Sequence, residues 1–134
     1  MSLEERNELF KTYIETNVAP ILVEDGSVEI FPNPIVIPAE CDSSLLSGHY
    51  QDSNYLPPAW YQELITKKDI EYNYLIIEDI TNISKDEQLK FVELLKHRKI
   101  SSFVLPDNTV IIVLAKTVNK DLINSEIYSL VAHI

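Results

Sequence analysis

The sequence predicts an α/β domain built around a short parallel β-sheet. Two apolar runs, Tyr74–Ile77 and Val110–Leu114, lack the alternation of a half-exposed strand, which is typical of strands covered on both faces. Between them, Ser84–Glu87 forms a capping box, in which the serine and glutamate side chains satisfy free backbone amides at the start of a helix. Strand, helix and strand in this order favour a parallel connection.

The first third of the chain is predicted to add a helix, a hairpin and a third strand. Apolar residues at helical spacing predict an amphipathic helix from Leu3 to about Val18. The dipeptide Asp25-Gly26 lies inside the apolar stretch Ile21–Phe31, and this pattern indicates a β-hairpin. Ile35–Ile37 has a proline on each side, so we expect a short strand with blocked ends.

The remaining elements follow from turn residues and helix signals. Glu40–Pro58 is mostly polar and is predicted to be a long surface loop, after which a helix covers about Ala59–Lys67. The capping-box helix ends in Lys96–Lys99, where cations face the negative helix terminus; binding of phosphate or an acidic partner is the alternative. The tail contains a short helical pattern over Leu122–Leu130.

Composition limits the classes of protein to which the chain can belong. Its 134 residues, 46% of them hydrophobic, are sufficient for one globular domain over residues 1–134. The formal charge of −10 repels phosphate backbones, so we expect neither nucleic-acid nor anionic-membrane binding. No apolar run is long enough to span a membrane. Cys41 is the only cysteine, which excludes an internal disulfide and favours the cytoplasm.

Glycine, which many ligand-binding loops require, is scarce in this chain. Only Gly26 and Gly48 are present, whereas an average composition supplies roughly nine in a chain of this length. Two distant glycines do not form a phosphate loop, a dinucleotide fingerprint or a G-x-S-x-G nucleophile elbow. Several large enzyme classes are therefore excluded.

No metal or nucleophile motif is present either. His49, His97 and His133 lack ligand spacing, with or without Cys41, so we expect no metal and no cofactor. A Cys41 nucleophile with His49 as its base is disfavoured, because an acidic loop raises the pKa of a thiol.

Five segments share their order and spacing with a known ATPase family. They are Ser44–Gly48, Leu56–Trp60, Leu75–Ile80, Gln88–Asn108 and Val110–Leu114. In this order they resemble the core of AAA+ ATPases, especially the MoxR-like branch, with its D-L-x-G and P-P-x-W motifs, Walker B strand, R-x-I…L-P-x-N hairpin and sensor 1 strand. The resemblance covers about two-thirds of the chain and implies a P-loop NTPase-derived fold, with Glu78 and Asp79 in the Walker B position.

Four catalytic elements of that family are lost or altered. The Walker A loop with its lysine is missing, so nothing in the resemblance implies binding of the β- and γ-phosphates. The Walker B pair is Asp-Glu in the family but Glu78-Asp79 here. The sensor 1 asparagine aligns with Lys116, and the arginine finger aligns with Leu130. We therefore expect no ATPase activity and interpret Glu78 and Asp79 as relics.

The family also implies a strand order. Its parallel sheet runs 5-1-4-3-2, and removal of strands 1 and 5 leaves Val110–Leu114, Tyr74–Ile77 and Ile35–Ile37 as neighbours. The predicted fold is thus a truncated three-layer AAA+-like domain, with a short parallel sheet plus an N-terminal helix and hairpin. Val110–Leu114 becomes an apolar edge, which we expect Ile21–Phe31 or a partner chain to cover.

The function predicted from these features is protein contact rather than catalysis. The chain is expected to regulate or scaffold a related ATPase, or to associate with itself through the Val110–Leu114 edge. Loop residues Tyr50, Tyr55, Leu56 and Tyr61 are the predicted contact patch, and Trp60 is assigned to the core. The alternatives are a piece of a MoxR-like ATPase that binds ATP with sequence absent here, and a small hydrolase or nucleotide-binding protein using Glu78 and Asp79.

Overall fold

A five-stranded parallel β-sheet flanked by helices forms the centre of the molecule, so the chain has an α/β fold. The computed structural model describes residues 3–17, 19–26, 28, 31–117, 119 and 121–133. Across the sheet, the strands are β2 (Ile35–Pro38), β5 (Asn73–Glu78), β8 (Thr109–Ala115), β1 (Ile21–Glu24) and β9 (Ala132–His133).

Helices and two short antiparallel hairpins surround this sheet. The helices are α1 (Leu3–Thr16), α2 (Ser43–Ser47), α3 (Ala59–Thr66), α4 (Lys85–Gln88), α5 (Val92–His97) and α6 (Ser125–Leu130). The hairpins pair β3 (His49–Gln51) with β4 (Asn54–Leu56), and β6 (Lys99–Ile100) with β7 (Phe103–Val104). None of the described helices has the length and hydropathy needed to cross a membrane.

The predicted arrangement of the three central strands is confirmed. β5 lies between β2 and β8, and both pairings are parallel. The predicted helix start at Ser84 is also confirmed, since Ser84 Oγ accepts a hydrogen bond of 3.2 Å from the Glu87 amide. The helix that it begins is divided, because a 3₁₀ turn at Leu89–Phe91 separates α4 from α5.

The predicted N-terminal hairpin is wrong. β1 pairs in parallel with β8 on one side and with β9 on the other, so its neighbours come from distant parts of the chain. Val28 and Phe31 are not in a strand, while Glu29 and Ile30 lie outside the described residues, as does Val18 at the predicted helix end. The turn signal at Asp25-Gly26 marks the end of a parallel strand.

The sheet is also wider than predicted. β1 covers the edge of β8, as we expected for part of Ile21–Phe31, and β9 adds a fifth strand beyond it. Val110–Leu114 consequently has a neighbour on each side, so the exposed edge that we expected to mediate self-association is not present in this strand. β1 and β9 therefore lie beside β8, where we expected no strand of the family's sheet to remain.

The stretch predicted as a long loop, Glu40–Pro58, is partly regular. It contains α2 and the β3–β4 hairpin. Asp42 caps α2 through a 2.8 Å bond from the Leu45 amide to its carboxylate. Short polar elements of this kind have no long apolar pattern, so the sequence does not predict this helix and this hairpin.

The two faces of the sheet bury separate apolar clusters. On one face, α3, α5 and α6 contribute Trp60, Leu64, Leu94, Leu95 and Ile127. On the other face, α1 contributes Phe10, Tyr13 and Ile14, which pack on strand residues such as Ile76 and Ile112. Trp60 is 5% exposed, so its assignment to the core is confirmed.

Candidate functional site

The carboxyl ends of the central strands bring together the acidic pair and the residue aligned with sensor 1. Asp79 follows β5 and adopts a left-handed backbone conformation, with φ of 57°. Its carboxylate accepts a 2.9 Å hydrogen bond from Thr81 Oγ1 and lies 3.5 Å from the Lys116 ammonium. Because the Lys116 side chain is 71% exposed, this ion pair is weakly stabilising.

A pocket of about 390 Å³ opens at this edge of the sheet, beyond the ends of β1, β5 and β8. It is lined by Asp25, Gly26, Val28, Glu78, Asp79, Leu114, Ala115 and Lys116. A smaller pocket of about 210 Å³ shares Glu78 and Asp79 and adds Glu40. Three carboxylates and one ammonium line the larger pocket, so its formal charge is negative.

The segment after β1 contributes Asp25, Gly26 and Val28 to the larger pocket and folds onto the end of the sheet. The Asp25 amide donates a 2.7 Å hydrogen bond to the Ala115 carbonyl, which continues the pairing of β1 with β8. A Cβ atom at Gly26 would lie 2.7 Å from Val23 Cγ1 and 3.1 Å from Leu114 Cδ2. Gly26 therefore permits close packing between the segment and the two strand ends.

The described part of this segment differs from a phosphate loop. A phosphate loop joins a strand to a helix whose N-terminal amides face the phosphates, and a lysine neutralises their charge. Here only ten residues separate the end of β1 at Glu24 from the start of β2 at Ile35, and the described residues between them contain no α-helix. The chain has no lysine or arginine between Lys11 and Lys67. Neither a described α-helix nor a basic residue therefore lies between β1 and β2.

Three of the predicted contact residues, Tyr50, Tyr55 and Tyr61, form a cluster of rings with Phe103. The Tyr50 and Tyr55 ring centroids are 4.9 Å apart, and the Tyr55 ring stacks on Phe103 at 5.7 Å with an interplanar angle of 9°. Tyr61, from α3, packs on the same Phe103 ring at 5.3 Å. We call Tyr50, Tyr55, Tyr61, Phe103 and Val104 the aromatic surface.

Hydrogen bonds fix the inner tyrosines and leave the outer residues open. The Tyr55 hydroxyl donates to the Ser47 carbonyl and lies 3.2 Å from Ser101 Oγ. The Tyr61 hydroxyl donates a 2.7 Å bond to the Val104 carbonyl. Tyr50 is 75% exposed and Val104 is 64% exposed, so the ordered rings present an apolar outer layer to solvent.

Leu56 and Gly48 stabilise the base of the first hairpin. Leu56, the fourth predicted contact residue, is half-buried and pairs with His49. Gly48 has φ of 87°, and a Cβ atom there would lie 2.1 Å from the Leu56 carbonyl oxygen. Only glycine is compatible with this approach. The sequence pattern does not predict the roles of Phe103 and Val104, because their contact with the tyrosines depends on two hairpins that are distant in the chain.

The cysteine and the three histidines lie in different parts of the fold. Cys41 is buried, and burial raises the pKa of its thiol although the Lys90 ammonium opposes the change. His49, His97 and His133 belong to β3, α5 and β9 respectively. Among the described residues, no three side chains of histidine, cysteine, aspartate or glutamate form a group able to hold a metal ion.

Comparison of the chain with models of known protein families, with curated proteins and with solved structures finds no match.

Proposed function

We propose that this chain is an AAA+-derived domain that does not hydrolyse ATP and that acts by contact with another protein. The strand order supports the family relationship. The sheet reads β9, β1, β8, β5 and β2, and numbering these strands by their order in the chain gives 5-1-4-3-2, the order of the AAA+ core. The motif resemblance provides independent support from the sequence.

The single observation that carries the non-catalytic part is the connection between β1 and β2. In the family this position holds the phosphate loop and the helix that follows it. The ten-position connection here has no described α-helix and no basic residue, and it contributes Asp25 to a pocket that also contains Glu78 and Asp79. The Asp25 carboxylate adds negative charge where the family places a lysine, and this charge is unfavourable for a polyphosphate at short range.

The aromatic surface supports the protein-contact part. Tyrosine and phenylalanine are enriched at protein interfaces, and rings held in place beforehand lose little side-chain entropy on binding. Tyr55 and Tyr61 are held by hydrogen bonds, whereas Tyr50 and Val104 are largely exposed. We assign this surface to a subunit of a related ATPase. Neither nucleic acid nor a membrane surface is a partner in this proposal, since the net charge is −10.

The other two interpretations receive less support. In a piece of an ATPase with its Walker A strand elsewhere, that strand would need the place beside β8, where β1 lies. A small hydrolase would need free carboxylates, whereas Asp79 is engaged by Thr81 and Lys116. The single cysteine, which is a free thiol, supports a cytoplasmic location.

The experiment measures the affinity of the chain for the AAA+ ATPase whose gene lies nearest its own, by biolayer interferometry. We expect measurable binding by the wild-type chain and at least a roughly tenfold weaker affinity for the double variant Tyr50→Ser, Val104→Ser, because hot-spot side chains contribute about 2 kcal/mol or more.

The matched control is the double variant Leu89→Ser, Leu122→Ser. Both leucines are exposed apolar residues outside the aromatic surface, at 44% and 45%. The control should retain wild-type affinity. Equal affinity of the wild type and the Tyr50, Val104 variant, or equal losses in both double variants, would contradict the assigned surface.

A further inference from the structure

Two fully buried polar side chains face the same apolar layer at the amino-terminal edge of the sheet. Asn73 begins β5 and is 1% exposed, and Thr109 begins β8 and is 0% exposed. They are register partners in parallel strands, so their side chains project from the same face. Leu75 and Ile111, two residues further along each strand, pack in the cluster beneath α3 and α5.

Each of these side chains has an oxygen atom to which no protein atom is hydrogen-bonded. The atoms are Asn73 Oδ1 and Thr109 Oγ1, both inaccessible to bulk solvent. The side-chain nitrogen of Asn73, Nδ2, does have a partner, since it donates a 3.4 Å hydrogen bond to the Leu64 carbonyl. A buried oxygen without a partner destabilises the folded state by about 1–3 kcal/mol, so native structures rarely leave one unpaired.

The surrounding backbone is well satisfied, which makes the unpaired oxygens conspicuous. The Thr109 carbonyl accepts from Asn17 Nδ2 at 3.0 Å and from Arg98 Nη2 at 2.8 Å. The Asn73 amide donates a 2.9 Å bond to the Asn108 carbonyl. The residues that follow α1 and α5 therefore meet the two strands at one turn, where Asn108 Oδ1 is a third buried side-chain oxygen without a hydrogen-bonded protein atom.

We propose that a buried water molecule bridges Asn73 Oδ1 and Thr109 Oγ1. The water can donate one hydrogen bond to Asn73 Oδ1. It can also donate a hydrogen bond to the Thr109 hydroxyl or accept one from it, so both oxygen atoms gain a partner. A cation is a poorer occupant, because the Arg98 guanidinium is held against the same Thr109 carbonyl. The bridge explains a threonine at the start of a strand whose other residues, Val110–Ala115, are all apolar and buried.

An atomic-resolution crystal structure of the wild-type chain tests the proposal. We expect an ordered water about 2.7–3.2 Å from both oxygen atoms, the distance of an ordinary hydrogen bond. A dry site, an ion with shorter coordination distances, or a direct bond from the Thr109 hydroxyl to Asn73 Oδ1 would overturn it.

Two variants separate a bridging water from one bound by asparagine alone. Thr109→Val replaces the hydroxyl with a methyl group of similar size, and we expect loss of the water density. Thr109→Ser retains the hydroxyl and should retain the density. Persistence of the water in the valine variant would contradict the bridge. If that variant does not fold, the wild-type and serine structures still decide the matter.

Discussion

At the scale of single residues, Gln88 connects three segments that are separate in the sequence. It is fully buried, and its amide nitrogen lies 2.8–3.3 Å from the carbonyl oxygens of Ile80, Ile83 and Leu122. Its side-chain oxygen accepts a 2.7 Å bond from the Asn124 amide. These bonds hold the segment after the acidic pair against the segment before α6.

We predict that Gln88→Leu lowers the free energy of unfolding by about 3 kcal/mol, because several buried backbone groups lose their partner. Urea denaturation measures this value. Gln62→Leu is the matched control, since Gln62 is exposed and makes one 3.2 Å bond to the Pro57 carbonyl. The control should lie within about 0.5 kcal/mol of the wild type. Similar stabilities for both variants would show that Gln88 has no special structural role.

Both glycines are explained by close contacts rather than by ligand binding. Gly48 approaches the Leu56 carbonyl at the base of a hairpin, and Gly26 packs on Val23 and Leu114. Their scarcity argues against a phosphate loop, but their individual roles depend on contacts between distant or paired segments. The contact patch at Tyr50, Tyr55 and Tyr61 stays a prediction that rests on aromatic residues in a loop, whereas Phe103 carries no comparable sequence signal.

At the scale of elements, β2 forms one end of the sheet, and its prolines limit what can pair with it. The Ala39 amide donates to the Glu78 carbonyl at 3.1 Å. Backbone groups alternate along a strand, so the Ile37 amide also faces β5, and position 36 faces outward. Pro34 and Pro38 share that outward side and lack an N–H. Over residues 34–38, the Val36 amide is therefore the only backbone donor on the outward side of the strand.

We predict that the double variant Pro34→Val, Pro38→Val associates more readily than the wild type, because the exposed edge gains two hydrogen-bond donors. Multi-angle light scattering at increasing concentration should show a larger mean mass. Pro32→Val is the control, because Pro32 is exposed and precedes the strand. Identical masses for all three proteins would contradict the protective role of the two prolines.

The sequence predicted those elements whose signals are local and long. Tyr74–Ile77 and Val110–Leu114 gave strong apolar runs, and Ser84 gave a helix start, so these elements were placed correctly. β9 has only two residues, Ala132 and His133, and forms through pairing with β1. A hairpin signal at Asp25-Gly26 was misleading because residues 110–115, far along the chain, provide a better apolar partner for β1 than the adjacent segment does.

At the scale of the whole molecule, the two faces of the sheet are covered in different ways. α3, α5 and α6 come from the connections between strands, whereas α1 precedes β1 and covers the opposite face together with Phe31. In a phosphate-loop fold, a helix that follows the first strand supplies backbone amides at the ligand. Here the described cover on that face begins before β1, and three carboxylates and the Lys116 ammonium line the edge pocket. In the function that we propose, the domain acts by protein contact rather than by nucleotide chemistry.

Isothermal titration calorimetry with magnesium and ATP tests the central claim most directly. The connection from β1 to β2, which lines the acidic pocket at Asp25, Glu78 and Asp79, has no described α-helix and no lysine, so we predict no saturable heat up to millimolar nucleotide. An intact AAA+ ATPase titrated in the same buffer provides the positive control, and circular dichroism confirms that the chain is folded. Saturable binding with a micromolar dissociation constant would contradict the account.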